Sequence, residues 1–320
     1  MVHNKYIACI QCVAICLAIT FSEVAYSDIY RWVDDKGRVH FDDSARPVLQ
    51  GNTKKSTKKE KVMLNITPSS WRRFDITIRS MDVQLTEQET LRIKRDVNNV
   101  YHFYDDVMFF DFYKTVPVSI TLLVDQHAYQ RYLKKELGIN VSNSRGVFFP
   151  KNNEIVVYMR ENRNGTLETI KHETSHAIIA SIAPNTPGWL NEGLAEQMEK
   201  IERKDGRLIM LRHEENKGRL SQRANMLPLR EMLDLHSNQW RKKNVSGNAY
   251  LQAHSGELLY FLLSSSPRKS FVLRILQEYK RGSRKRSLYL VRDNYIGDIG
   301  GMETGWEFWL RQKEKGFIAF

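Results

Sequence analysis

The residues best suited to chemistry lie together at 172–176, His172-Glu173-Thr174-Ser175-His176, an H-E-x-x-H pattern. On a helix, histidines four apart stack on one face, and both can give an imidazole nitrogen to one zinc ion. Glu173 then sits beside them, placed to take a proton from a water held by that ion. The pentad alone should arise by chance in roughly one chain in a hundred of this length, so its flanks carry weight. Gly165 and Thr166 can start a helix, and Leu167, Ile170, Ala177 and Ile178 give it an apolar stripe. Pro184, Pro187 and Gly188 end it and turn the chain. A catalytic zinc takes three protein ligands and keeps one position open. Trp189-Leu190-Asn191-Glu192-Gly193-Leu194-Ala195-Glu196 reads as the start of a second helix, and Glu192 is the natural third ligand from a helix packed back on the first. The expectation is one Zn2+ per chain, held by His172, His176 and Glu192.

The elements that must position these residues follow from the rest of the chain. Residues 1–27 read as an export signal: Lys5 lies in a short positive start, an apolar run follows, and Ala25-Tyr26-Ser27 is a small-x-small site before Asp28. The apolar run is too short to span a membrane comfortably. Cys9, Cys12 and Cys16 are the three cysteines, and all lie in this segment. The mature chain then has neither disulfides nor thiol ligands, so a metal site must be built from His and Glu. An exported, periplasmic protein is expected.

Residues 28–50 read as a β-hairpin module, with strands at 29–33 and 38–41 joined by Asp34-Asp35-Lys36-Gly37. Residues 51–65, carrying Lys54, Lys55, Lys58, Lys59 and Lys61, read as a solvated linker. Residues 66–320 suffice for one domain with a large core. Periodicity predicts a strand at 74–78, a long helix at 86–108, a strand at 118–124 and a helix at 128–137 closed by Gly138. Strands at 146–149 and 154–159 come next, just before the motif helix. Beyond the site, a strand at 208–211 is followed by helices at 229–235, 249–264, 271–279 and 306–313. The fold class is α+β.

H-E-x-x-H followed by W-L-N-E-G-x-A-E resembles the gluzincin metallopeptidases, the class of thermolysin and aminopeptidase N. Within that class the chain most resembles the peptidase MA-like group of bacterial envelope proteins. The resemblance implies a thermolysin-like domain: a mixed sheet with an edge strand, the H-E-x-x-H helix, then an all-helical lower lobe. It assigns residues 155–158 to the edge strand that pairs with extended substrate. It also implies a tyrosine at the start of a later helix that donates its hydroxyl to the oxyanion, and Tyr250 matches that place, with His254 as the substitute donor. Glu196 would orient a ligand histidine from behind. Separately, Y-x-W-V-D-x-x-G-x-V-H-F-x-D over the hairpin resembles a domain of unknown function found at the N-termini of Gram-negative envelope proteins.

The formal net charge is +12. Lys5 and Glu23 cancel within the leader, so the mature chain keeps it. Clusters such as Lys280-Arg281 and Arg284-Lys285-Arg286 suit anionic envelope polymers as partners, and no nucleic-acid motif accompanies the charge. Two readings follow. One is a zinc-dependent hydrolase acting on peptide or protein substrates, with Glu173 as base and Tyr250 as oxyanion donor. The other is an envelope binding or scaffold protein that keeps the fold without turnover.

Overall fold

The computed structural model describes residues 30–33, 39–42, 60–61, 76–110, 116, 118–138, 144–220, 226–246, 250–312 and 316–320. The expected leader at 1–27 lies outside the described residues. The chain divides into two compact units, Met1–Thr67 and Pro68–Phe320.

In the first unit, β1 (Tyr30–Val33) and β2 (Val39–Asp42) pair antiparallel, Tyr30 opposite Asp42 and Val33 opposite Val39. A short β3 (Glu60–Lys61) pairs with the other edge of β1. The segment expected as linker, 51–65, therefore contributes a strand. An isolated two-strand ribbon is marginal in water, and a third strand covers one of its open edges.

The second unit mixes helices with two sheets. Its larger sheet has the order β4-β5-β7-β6, with β4 (Ile76–Met81), β5 (Val118–Leu123), β6 (Gly146–Phe149) and β7 (Glu154–Tyr158). β4, β5 and β7 run parallel, and β6 is antiparallel to β7. The strand expected at the edge, 155–158, is thus interior. Its Ile155, Val156 and Val157 are fully buried, as befits a strand with neighbours on both sides. Among the described residues, the free edge beside the motif helix belongs to β6.

Helix α1 (Glu87–His102) opens on a capping box: the Glu89 N–H donates to the Thr86 hydroxyl at 3.2 Å, and the Thr86 N–H donates to the Glu89 carboxylate at 2.9 Å. The expected continuation to residue 108 is a π turn, Phe103–Val107, closed by Met108 N–H to Phe103 C=O at 3.0 Å. The extra residue turns Phe103, Tyr104 and Val107 into the core. Helix α2 (Gln126–Leu137) is capped by Asp125 and stopped by Gly138 at φ 67°. Helix α3 (Arg163–Ile182) is buried along most of its length. Its polar residues are matched from within: the Thr174 hydroxyl donates to Ile170 C=O at 2.7 Å, Ser175 meets the Tyr104 hydroxyl at 2.6 Å, and Lys171 Nζ donates to Ile201 C=O at 3.0 Å. Buried polar groups left unmatched would each cost about 1–3 kcal/mol.

After α4 (Gly188–Glu199) the chain forms a hairpin of β8 (Ile201–Lys204) and β9 (Arg207–Leu211). Far along the chain, β10 (Phe317–Ala319) completes this sheet, Phe317 opposite Leu211 and Ala319 opposite Ile209. The expected all-helical lower lobe is therefore corrected: it carries a three-stranded antiparallel sheet. Around this sheet the chain is helical, with α5 (Glu214–Leu220), α6 (Leu229–Asp234), α7 (Ser237–Ser246), α8 (Leu251–Leu263), α9 (Ser266–Lys280), α10 (Ser287–Asn294) and α11 (Asp298–Trp309). Among the described residues, no helix is long and apolar enough to cross a membrane.

The helix pair α4 and α8 sets the spacing at the site. A Cβ on Gly193 would stand 2.7 Å from the Ser255 carbonyl oxygen, and one on Gly256 would stand 2.9 Å from Glu196 Cβ. Two glycines facing in opposite directions let these backbones approach more closely than any side chain would permit.

Candidate metal centre

His172 and His176 project from successive turns of α3, their ring centroids 4.8 Å apart and their planes at 82°. Glu192 reaches them from the first turns of α4, with its Oε2 3.6 Å from His172 Nε2 and 3.8 Å from His176 Nε2. One ligand atom from each residue lies within 4.8 Å of the other two. The structure thus brings together the three residues that spacing singled out.

The outer nitrogens are held as well. His172 Nδ1 meets Glu199 Oε1 at 2.8 Å, and His176 Nδ1 meets Asn191 Oδ1 at 3.2 Å. A carboxylate and an amide oxygen only accept, so each Nδ1 donates outward and each Nε2 is turned toward Glu192. With Nδ1 held from outside, each Nε2 is the nitrogen left for a divalent cation, and the donor set of two imidazoles and one carboxylate suits zinc.

Behind this layer lies a second. Glu199 Oε2 meets His213 Nε2 at 3.1 Å, and Glu196 Oε2 accepts from Asn216 Nδ2 at 2.7 Å. The residue that orients His172 is therefore Glu199, while Glu196, expected for that task, is turned to Asn216. His172, Glu196 and Glu199 also approach one another. That trio uses the Nδ1 face of His172, and neither glutamate belongs to the cavity wall. It backs the first trio.

Charge is distributed unevenly among these carboxyls. Burial opposes the imidazolium of His172, but the Glu192 and Glu199 carboxylates outweigh it and raise its pKa well above the usual value. Burial likewise works against the charged form of Glu192, yet His176 and His172 pull it down to about 2. Glu173 behaves oppositely: burial pushes its carboxyl up, and the neighbouring His176 and His172 only partly offset the effect. A buried carboxyl of raised pKa is the better proton acceptor of the pair.

A cavity of about 410 Å³ opens over these groups, with His172, Glu173, His176 and Glu192 in its wall. The β6 edge forms one side through Gly146, Val147 and Phe148. Gly146 is there for closeness: a Cβ would sit 2.6 Å from Thr169 Cγ2 and 3.3 Å from Glu173 Cγ. Gln252, in the first turn of α8, also lines the cavity, and its Nε2 donates to Glu192 Oε2 at 3.1 Å.

Tyr250 and His254 do not line the cavity. Tyr250 is the N-terminal cap of α8, in the left-handed region at φ 44°, ψ 36°. His254, on the same helix, is wholly buried and stacks on Trp306 at 5.6 Å and 20°. Sequence reasoning passed over Gln252, Glu199 and His213. The only signal for Glu199 is its place on the Glu192 face of α4, and His213 carries none.

Residues 16–69 match a family described as a domain of unknown function (DUF4124), which covers the hairpin module and the strand that follows it. No curated protein matches the chain.

Proposed function

We propose that the chain is a zinc-dependent metallopeptidase of the gluzincin type, with a thermolysin-like catalytic unit, acting on peptide or protein substrates in the periplasm. The observation that carries this reading is the convergence of His172 Nε2, His176 Nε2 and Glu192 Oε2 on one cavity wall beside Glu173. The held orientations of both histidine rings support zinc at that point. When bound there, zinc supplies a Lewis acid that polarises a carbonyl and makes water more acidic.

Glu173 takes the proton of the attacking water, aided by the raised basicity of its buried carboxyl. The water oxygen bonds to the carbonyl carbon, the C–N bond breaks, and Glu173 passes the proton to the departing nitrogen. The first products are a carboxylic acid and an amine. The acid then gives its proton to the amine to leave carboxylate and ammonium, and Glu173 is left as it began. The free edge of β6 offers backbone groups for an extended peptide, the role that resemblance gave to 155–158. Asn191 and Glu199 keep the two histidines in orientation throughout. The excess of basic residues suits contact with anionic envelope polymers.

The test compares wild type with Glu173→Gln on a panel of unstructured proteins and cell-wall peptides. Both should hold one zinc per chain, and only the wild type should cut. If the wild type cleaves nothing that the variant leaves whole, a binding or scaffold role replaces the hydrolase.

A further inference from the structure

An oxyanion needs a donor, and the cavity wall offers few. Of its polar side chains, His172, His176 and Glu192 are ligands and Glu173 is the base. The Thr186 hydroxyl donates to Ala183 C=O at 2.7 Å. Asn191 stands behind His176, on the Nδ1 side of the ring, away from the nitrogen that faces Glu192.

Gln252 stands elsewhere. Its Nε2 lies 3.1 Å from Glu192 Oε2, the same oxygen that both histidine Nε2 atoms face. Its orientation is settled by its partner, because a carboxylate accepts only and the NH2 end must point at it. A primary amide carries two hydrogens on that nitrogen, and Glu192 takes one. Among the described residues Gln252 Nε2 makes no second hydrogen bond, and Gln252 lines the same cavity as His172, His176 and Glu192.

The backbone supports the same residue. Tyr250 takes a left-handed conformation at φ 44°, and α8 starts immediately after it without a side-chain cap. A non-glycine residue held there is strained and persists only where its surroundings impose it. The turn sets the phase of the first helical residues, so that Gln252 lines the cavity and Tyr250 does not.

We propose that Gln252 is a catalytic residue of the peptide hydrolysis. One Nε2 hydrogen holds Glu192, and the other is donated to the carbonyl oxygen of the scissile bond as that oxygen gains charge. Gln252 neither gains nor loses a proton, and the interaction relaxes when the carbonyl re-forms with loss of the amine. The inference rests on the hydrolase reading and adds to it a donor that the family resemblance did not supply.

The experiment compares wild type, Gln252→Leu, Gln252→Asn and Tyr250→Phe, each checked for fold by circular dichroism. Zinc content and chelator competition are measured first. Turnover follows, on a peptide that wild type cleaves, then calorimetric binding of the phosphonate analogue of that peptide. Gln252→Leu should keep one zinc per chain, with KM changed only a few-fold. Its kcat should fall about 10²–10³-fold, and phosphonate binding should weaken in step, because a donor used in the transition state is lost from its mimic too. Gln252→Asn, one methylene short, should fall between. Unchanged kcat and phosphonate affinity in Gln252→Leu overturn the proposal, as does outright loss of zinc, which would leave Gln252 only a support for Glu192. A loss confined to Tyr250→Phe also overturns it. A wild type that binds no zinc and cuts nothing fails the hydrolase reading itself, and that outcome is visible before any Gln252 variant is compared.

Discussion

Glu199 Oε1 meets His172 Nδ1 at 2.8 Å, reaching back from two turns along α4 beyond Glu192. One helix thus delivers both a candidate ligand and the carboxylate that orients another candidate. His213 in turn holds the far oxygen of Glu199 at 3.1 Å, so this carboxylate is braced on both sides.

The first prediction separates ligands from their supports. Changing His172, His176 or Glu192 to Ala should lose most of the zinc. Glu199→Gln should keep one ion per chain but bind it about 10–100-fold more weakly, the usual cost of losing an outer partner. Glu196→Gln should do less, since Glu196 meets Asn216 and no ligand. Chelator competition measures all five, and a Glu196→Gln defect exceeding that of Glu199→Gln would reverse the assignment.

A second prediction concerns acid. Among the described residues neither ring nitrogen of His254 has a hydrogen-bond partner, and burial pushes its pKa from 6.5 down to about 4. Below pH 6.5 the unfolded chain takes up a proton that the folded one refuses. The contribution is therefore complete above pH 6.5 and is lost as pH falls toward 4, a change of about 3 kcal/mol. Urea unfolding at about pH 7 and about pH 4.5 should show His254→Leu with a shallower loss than wild type. Equal slopes in the two proteins would remove His254 as the cause.

The third prediction tests the close helix pair. Gly193→Ala and Gly256→Ala should each destabilise by about 1–3 kcal/mol, because the added methyl meets a backbone carbonyl in one case and a neighbouring Cβ in the other. Gly218, in α5, has nothing within 4 Å of its notional Cβ. Gly218→Ala should be neutral or stabilise by up to about 1 kcal/mol. Denaturant midpoints decide, and a neutral Gly193→Ala would mean that the helices can slide apart freely.

A fourth concerns the buried ion pair that joins Glu257 of α8 to Arg212, just after β9. Glu257 accepts from Arg212 Nη2 at 2.5 Å and from Trp309 Nε1 at 3.1 Å, with both charged side chains almost fully enclosed. Glu257→Ala should cost about 3–5 kcal/mol, because the guanidinium loses its counter-charge inside the protein. Trp309→Phe, which removes one neutral donor, should cost about 1 kcal/mol from the hydrogen bond. The two variants ranked in the opposite order by thermal unfolding would contradict this.

How much of this was legible depends on how local the cause is. Four-residue spacing places His172 and His176 on one face wherever a helix forms, so the pair could be read directly. Glu196 and Glu199 both follow Glu192 around the same side of α4, and only the packing of α3 decides which of them meets His172. Strand order is less local still: 146–149 and 154–158 are both good strands, and nothing within either says which lies at the edge. Tyr250 and Gln252 differ by the phase of one helix start, which a single left-handed residue sets. The three residues of β10 are too few to give a period.

β10 reaches back to close a sheet whose first strand begins two residues after Glu199. Arg212 N–H binds Gly316 C=O at 3.1 Å and Phe320 N–H binds Leu208 C=O at 2.9 Å, so β9 and the His213 that follows it are clasped from the far end of the unit. Loss of β10 would bare one edge of β9 and remove the backbone clasp beside His213. The brace behind His172 therefore depends on a strand at the far end of the unit, and damage there would be felt at the candidate metal centre.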